Sequence, residues 1–147
     1  MDVDFNKSLL HLLHRASQAA NDLFEHNSAS DGVTARQLVV RTAISTREGM
    51  SQTDIVELTG IDRSTLADIV RRVLKAGLIV RKRSKVDARA YQVGLTSKGR
   101  NVLGEATQVA ARTETHLAES LKARQRDDLV RLLQILVDAS LNAKAAR

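Results

Sequence analysis

Side chains suited to contacting nucleic acid recur at helical spacing between residues 63 and 75. Arginine can donate two hydrogen bonds to guanine O6 and N7, and serine or threonine hydroxyls can reach base edges or phosphates. We therefore predict a helix that reads base edges in the major groove of duplex DNA. Its candidate contact residues are Arg63, Ser64, Thr65, Asp68, Arg71, Arg72 and Lys75.

Asp68 is an unusual member of this set, because a carboxylate repels the phosphate groups of DNA. It could accept a hydrogen bond from cytosine N4, or it could hold Arg71 or Arg72, which lie three and four residues further along the helix. We favour the second role. The alternative for the whole face is a solvated surface with ion pairs along the helix.

A second basic cluster follows in residues 81–89, with the sequence RKRSKVDAR. Asp87 and Arg89 are two residues apart, so in an extended segment their side chains project to the same side. The carboxylate would then direct the guanidinium of Arg89 toward a narrow minor groove, whose negative potential attracts arginine. The neighbouring basic residues would contact phosphates, which raises affinity without reading sequence, and they are Lys82, Arg83 and Lys85.

Two predicted helix starts add possible phosphate contacts, because the backbone N–H groups of a helix N-terminus bind anions. One start comprises Ser51, Gln52 and Thr53, and the other comprises Thr34 and Arg36. We include Ser51 and Thr53 among the predicted DNA-binding residues.

The distribution of charge favours the same assignment. Residues 61–100 carry eleven Lys and Arg against three Asp, a net charge of +8, whereas the rest of the 147-residue chain carries twelve basic and fourteen acidic residues, a net charge of −2. A contiguous basic segment on a near-neutral chain is typical of a module that binds a polyanion. The chain has no cysteine, which excludes disulfides, cysteine-ligated zinc and thiol-based oxidation sensing.

The elements that must position these residues are mostly helical. Apolar residues at three- and four-residue steps predict a first helix over about residues 4–27, followed by a loop over residues 27–32. Thr34 and Gln37 have the spacing of a capping box, which predicts a second helix that runs to residue 44.

Two short helices should follow. Ser51 and Asp54 have the spacing of another capping box, and Gly60 fits a left-handed C-cap for that third helix. Asp62 should cap the fourth helix, which stops at Gly77.

Beyond residue 77 the apolar period changes from helical to alternating. Residues 78–80 and residues 91–95 predict two strands around the basic cluster, which together form a β-hairpin. Thr96 should cap a long helix that runs to residue 121, and the apolar residues at 129–141 predict a final helix.

This order predicts a mainly α fold with a small β-hairpin wing. Residues 31–100 would form a winged helix-turn-helix lobe, and residues 1–30 and 101–147 a helical dimerisation region. An amphipathic helix is stabilised chiefly by packing its apolar stripe against another element. A second copy of the chain is the simplest partner against which the apolar stripes of the terminal helices can pack, so we predict a homodimer.

Several motifs resemble the MarR family of winged helix-turn-helix regulators. They are residues 49–55 (GMSQTDI), 59–66 (TGIDRSTL), 71–79 (RRVLKAGLI) and 87–99 (DARAYQVGLTSKG). The resemblance implies a triangular homodimer with interlocked terminal helices, two lobes that bind a pseudo-palindromic operator, and release by a small, often aromatic and anionic ligand. The chain departs from the family pattern at residues 121–124, where members place a Ser, Thr or Asp cap.

His11, His14 and Arg15 lie where the resemblance places the ligand cleft, and Arg15 could pair with a carboxylate. The alternative is that both histidines are ordinary surface or interface groups of an amphipathic helix. Only His26 and His116 remain as nitrogen ligands, at a spacing that suggests no compact site, so we predict no metal.

We therefore predict a sequence-specific transcriptional regulator that acts as a repressor, with a double-stranded DNA operator and a small-molecule effector as its partners. An architectural double-stranded DNA-binding protein without an effector is the alternative, and it would show little preference among sequences. We expect no enzymatic activity and no cofactor, since the chain has no glycine-rich nucleotide loop and no nucleophile elbow. We also expect a cytoplasmic protein that does not enter the membrane, because no apolar run spans a bilayer and the N-terminus does not resemble a signal peptide.

Overall fold

The computed structural model describes residues 4–28 and 33–145. Within these residues the predicted class is confirmed, because the chain forms six α-helices and one antiparallel hairpin. A 3-10 turn at Phe5–Lys7 precedes α1 (Leu9–Asn27), α2 (Ala35–Thr46), α3 (Gln52–Thr59), α4 (Arg63–Lys75), β1 (Ile79–Arg83), β2 (Tyr91–Leu95), α5 (Ser97–Ala118) and α6 (Ala123–Ala145).

Local capping fixes most of the helix starts at the predicted residues. Asp62 Oδ1 accepts a hydrogen bond from the backbone N–H of Thr65 at 2.9 Å, and Thr96 Oγ1 accepts one from Gly99 at 2.9 Å. Thr34 Oγ1 accepts from the N–H of Gln37 at 3.2 Å, which is the N-cap half of the predicted box. Each such bond satisfies an N–H group that has no partner inside its helix.

Several predicted boundaries are wrong. α2 continues to Thr46, two residues past its predicted end. The first helix starts at Leu9 instead of near residue 4, because Ser8 adopts an extended backbone and caps α1. β1 covers Ile79–Arg83 instead of residues 78–80, since its pairing with β2 continues past the last apolar residue. α5 ends at Ala118, three residues early.

α6 begins without the Ser, Thr or Asp cap that the resemblance implies. The helix begins at Ala123, and Gln125 Oε1 accepts a hydrogen bond from the backbone N–H of Lys122 at 2.9 Å. A side chain inside the first turn thus satisfies this N–H group. Residues 29–32 of the predicted loop lie outside the described residues, and the division at residues 31–100 stays a prediction.

The hydrophobic core lies within the lobe formed by α2, α3, α4 and the hairpin. Val40, Ile55, Leu66, Val70 and Val93 are almost fully buried there. Burying one such side chain contributes about 1.5–3 kcal/mol. The core therefore holds α4 and the hairpin in a fixed relation to one another.

The first turn of α5 is locked to this lobe at Gly99. A Cβ atom at this position would lie 1.9 Å from the carbonyl oxygen of Leu78, so only glycine permits the approach. Thr96 strengthens the junction, because its backbone N–H donates to the same oxygen at 3.0 Å.

The terminal helices expose apolar surface. α1 packs against α5, whereas α6 does not pack along any other described element. Leu132, Ile135 and Val137 on α6 are each more than half exposed. In the part of the chain that the structure describes, no helix is both long and apolar enough to cross a membrane.

Candidate nucleic-acid interface

α4 presents the predicted arginine-rich face to solvent. The opposite side of the helix is buried in the core through Leu66, Ile69, Val70 and Val73. Two of the predicted contact residues on α4 are half-buried, namely Thr65 and Asp68. The others are exposed, and they are Arg63, Ser64, Arg71, Arg72 and Lys75. The amphipathic pattern therefore orients this face as the sequence predicts.

Asp68 holds both arginines that follow it. Its Oδ2 lies 3.0 Å from Nε of Arg72, and its Oδ1 pairs with a terminal nitrogen of Arg71. Exposed ion pairs of this kind contribute at most about 1 kcal/mol to stability. Their main effect is to restrict the directions of the two guanidinium groups, which is the role we favoured for Asp68.

The wing loop is a compact turn, so the predicted extended geometry of Asp87 and Arg89 is wrong. Asp87 Oδ1 accepts a hydrogen bond from the backbone N–H of Arg89 at 2.9 Å, and its backbone oxygen accepts one from Ala90 at 3.0 Å. A carboxylate that bonds the backbone two residues on stabilises a turn. Asp87 therefore shapes the loop, in which Arg89 is exposed.

Ser84 organises the other half of the loop. Its hydroxyl oxygen accepts hydrogen bonds from the backbone N–H groups of Val86 and Asp87 at 3.2 and 3.3 Å. Lys85 is exposed between these groups. The loop is therefore ordered by its own hydrogen bonds.

Two arginines lie near an aromatic ring at the end of the hairpin strands that adjoins the wing loop, an arrangement that the sequence did not predict. The guanidinium carbons of Arg81 and Arg83 lie 5.7 and 5.6 Å from the ring centroid of Tyr91, at cation–π distance. Arg83 also donates to the carbonyl oxygen of Ala88 at 3.1 Å. Arg83 thus braces the wing as well as exposing charge. No signal in the sequence pointed to this interaction, because it depends on the register that places Tyr91 opposite Arg83 in the hairpin.

The N-terminus of α3 carries a complete capping box. Ser51 N–H donates to Asp54 Oδ2 at 2.8 Å, and Asp54 N–H donates to Ser51 Oγ at 3.1 Å. The bonds from the backbone and hydroxyl of Ser51, with a smaller effect from Arg47 at 3.5 Å, lower the pKa of Asp54 below its ordinary value. Asp54 therefore stays ionised and fixes the helix start.

The same helix start borders the wing. A shallow cavity of about 280 Å³ separates Ser51, Gln52 and Thr53 from Arg81 and Tyr91. The N–H groups of Gln52 and Thr53 belong to the first turn, so they have no partner within the helix. This arrangement brings helix N–H groups and a guanidinium to one concave surface.

The predicted ligand residues lie on α1, apart from this surface. The ring of His11 contacts the ring of Phe5 with centroids 3.8 Å apart and planes tilted by 37°, whereas His14 and Arg15 are exposed. Their assignment to a ligand stays a prediction. Within residues 4–28 and 33–145, no group of His, Asp and Glu side chains could hold a metal ion.

Comparison with known proteins places this architecture among characterised regulators. A model of the MarR family matches residues 33–91. The chain is 26% identical to the HTH-type transcriptional repressor NicR of Pseudomonas putida, over 95% of this chain and 89% of NicR.

Two solved structures are similar over almost their full length. BpsR of Bordetella bronchiseptica, whose DNA binding is regulated by 6-hydroxynicotinic acid, is 28% identical with a TM-score of 0.88, over 94% of this chain and 99% of BpsR. The transcriptional repressor CouR, solved bound to a 23-mer DNA duplex, is 30% identical with a TM-score of 0.83, over 93% of this chain and 99% of CouR.

Proposed function

Because this chain belongs to the MarR family, we propose that it is a transcriptional repressor that binds a DNA operator as a homodimer and releases it when a small ligand binds. The observation that carries the proposal is the exposed face of α4, where Asp68 fixes the guanidinium groups of Arg71 and Arg72 beside an ordered basic wing. The DNA-bound CouR and the ligand-regulated BpsR support the two halves of the cycle.

Each part of the lobe has a separate task on DNA. α4 enters the major groove, where Arg71 and Arg72 read base edges. Arg89 at the wing tip enters the minor groove, and Lys85 contacts the backbone. The first turn of α3 binds a phosphate through its N–H groups.

The exposed apolar surfaces of α1 and α6 support the homodimer, since apolar area of this extent is normally covered. A two-fold dimer presents its two α4 helices to one side of the duplex, so the half-sites lie about 34 Å apart. Operator DNA of this kind lies in the bacterial cytoplasm, where we place the protein. Members of this family act by binding, and we propose no catalytic step for this chain.

The test is selection of bound sequences from a random duplex pool, followed by measurement of Kd for the selected site and for random duplex at one salt concentration. We expect a preference of about 10³-fold or more, and footprints on two half-sites one helical turn apart. The basic lobe alone would suit an architectural DNA-binding protein. Near-equal Kd values would favour that function and contradict ours.

A further inference from the structure

Tyr91, the one tyrosine of the chain, lies beside two arginines at the exposed end of the hairpin. Arg83 is its cross-strand partner, and Arg81 precedes Arg83 by two residues, so the three side chains belong to one face of the sheet. The guanidinium carbons lie 5.7 Å (Arg81) and 5.6 Å (Arg83) from the ring centroid, and all three residues are exposed. One ring therefore attracts two like charges.

The charges of these two arginines are not compensated by a carboxylate. Among residues 4–28 and 33–145, no Asp or Glu forms an ion pair with either of them. Two guanidinium groups held at one ring repel each other, and an anion beside them relieves this repulsion. On α4, in contrast, Asp68 pairs with both arginines that follow it. The hairpin arginines therefore favour an external anion more strongly than the α4 arginines do.

The face of the hairpin that carries this cluster borders the start of α3. Val93, on the same face, is buried in the core of the lobe. Arg81 and Tyr91 line the shallow cavity of about 280 Å³ that Ser51 lines from the other side. The two arginines thus belong to the surface that also carries the first turn of α3.

The opposite face of the hairpin carries a different basic residue. Lys82 lies between the two arginines in β1 and is cross-strand to Gln92. Both line another cavity, which α5 borders through Arg100. The hairpin therefore offers basic side chains on both faces, but its aromatic ring lies on one of them.

We infer that Tyr91 is a positioning residue for DNA binding, whose ring holds Arg81 and Arg83 so that both guanidinium groups bind phosphates of the DNA backbone. This adds Arg81 to the DNA contacts that the sequence predicts, which already include Arg83. The phosphates lie on the side of the hairpin that borders the start of α3. The inference rests on the proposed function, because it takes the polyanion to be duplex DNA.

A ring restrains an arginine without occupying its hydrogen-bond donors. A carboxylate partner accepts from the guanidinium N–H groups and brings a negative charge toward the DNA, whereas a ring face does neither. An arginine that is restrained before DNA arrives loses less conformational freedom on binding. Arg83 has a second restraint, since it donates to the carbonyl oxygen of Ala88 at 3.1 Å. The effect of the ring should therefore be clearer at Arg81.

Binding to a duplex of mixed sequence tests the inference, because a phosphate contact does not depend on the operator. Arg81→Gln should weaken binding and reduce the slope of log Kd against log salt by about one, as expected for one lost phosphate contact. Tyr91→Leu removes no charge, yet it should raise the Kd about twofold to fivefold for each arginine that it releases. An unchanged Kd for either variant overturns the inference.

The double variant Arg81→Gln/Tyr91→Leu tests whether the ring acts through Arg81. If it does, the loss of affinity in the double variant is smaller than the product of the two single losses, by about twofold to fivefold. Lys82→Gln is the matched control, because it removes one charge from the same strand on the opposite face. Its loss should multiply with that of Tyr91→Leu.

Two results of this cycle would overturn the inference. One is that the losses of Arg81→Gln and Tyr91→Leu multiply, which would mean that the ring does not act through Arg81. The other is that Tyr91→Leu couples equally to Arg81→Gln and to Lys82→Gln, which would mean that Tyr91 supports only the folding of the hairpin.

The conservative variant separates the ring of Tyr91 from its hydroxyl group. Tyr91→Phe should bind DNA as wild type does, because a phenylalanine ring also attracts a guanidinium. If Tyr91→Phe weakened binding as much as Tyr91→Leu, the hydroxyl group would be the part that contacts DNA, and the positioning role would be wrong. Arg81→Gln should also weaken binding to the selected operator and to mixed duplex by the same factor. A greater loss on the operator would overturn the assignment to phosphate.

The behaviour of the wild-type protein distinguishes this inference from the proposed function. A wild-type protein that binds no duplex at low salt would overturn both. A wild-type protein that selects an operator, without coupling between Tyr91 and Arg81, would overturn the inference alone. Coupling on mixed duplex without any preference for an operator would support the inference and contradict the sequence-specific function.

Discussion

The guanidinium groups of Arg71 and Arg72 share the carboxylate of Asp68, and this sharing limits the directions in which they can point. A restrained arginine loses less conformational freedom when it forms two hydrogen bonds to one base. The cost is a negative charge on a surface that approaches phosphates. We therefore propose that Asp68 favours discrimination between sequences at the expense of affinity for DNA in general.

Substitution of these side chains should separate discrimination from affinity. Arg71→Ala or Arg72→Ala should reduce the preference for the operator over random duplex by about 1–3 kcal/mol, the value of one bidentate base contact. Asp68→Asn should instead tighten binding to random duplex and reduce the preference. The Kd values for the operator and for random duplex, measured at one salt concentration, give both the preference and the affinity. An equal loss on both duplexes would make the arginine a phosphate contact.

Arg89 and Lys85 allow a matched comparison within the wing. Arg89→Ala should weaken operator binding about tenfold or more, because an arginine in a narrow minor groove meets a strong negative potential. Lys85→Ala should weaken binding to all sequences and reduce the slope of log Kd against log salt by about one. Unchanged operator binding by an Arg89→Ala protein that remains dimeric would remove the wing tip from the mechanism.

Among single residues, the sequence predicted exposed side chains better than buried or paired ones. The face of α4 follows from the 3.6-residue period, which also orients Asp68 toward its arginines. Arg41 of α2, in contrast, is only 1% exposed, and its burial depends on α4 and α5, which the local sequence does not reveal. The interaction of Arg81 with Tyr91 likewise depends on pairing between strands.

At the scale of elements, the contact between the first turn of α5 and the carbonyl of Leu78 allows a sharp test with two glycines of one helix. Gly99→Ala should lower the free energy of unfolding by about 1–3 kcal/mol or more, because the added methyl group collides with backbone. Gly104→Ala meets no atom within 4 Å and should raise stability by about 0.4–1 kcal/mol. Urea unfolding measures both. Equal effects would show that α5 does not approach the lobe so closely.

The capping carboxylates predict a loss of stability in acid. Hydrogen bonds from Ser51 lower the pKa of Asp54, and hydrogen bonds from the side chain and backbone of Thr65 lower that of Asp62. A carboxyl whose pKa is lower in the folded state contributes stability above its ordinary value of about 4 and loses it as the pH falls further. Asp54→Asn should therefore be less stable at pH 7, with a shallower decline in urea midpoint below about pH 4. A decline as steep as that of wild type would contradict this account.

The starts of α3, α4 and α5 were predictable because a cap depends on neighbours within a few residues. Ser51, Asp62 and Thr96 all cap the helices that the sequence assigns to them. The extent of β1 was not predictable, because its basic half is ordered by a partner strand. The turn at Asp87 was missed for a related reason, since the spacing of two side chains does not tell an extended segment from a turn.

At the scale of the whole molecule, the outward faces of α6 should make assembly a condition of DNA binding. Leu133→Glu should produce monomers, because a buried charge at an apolar interface is costly. A monomer contacts one half-site and should bind the operator far more weakly. Sedimentation velocity and operator Kd together measure this, with the polar position Asn142→Glu as the control. A dimeric Leu133→Glu protein that binds normally would contradict the role of α6.

The exposed leucines and valines of α6 also bear on how long the chain survives in a cell. A newly synthesised chain that has not yet dimerised exposes this apolar surface, which is of the type that chaperones retain and proteases attack. Dimerisation buries the apolar surface of α6. The abundance of this protein would therefore depend on the rate at which two copies associate as well as on the rate of synthesis. At low expression, the concentration of the mature dimer would then rise more steeply than linearly with the concentration of its messenger RNA.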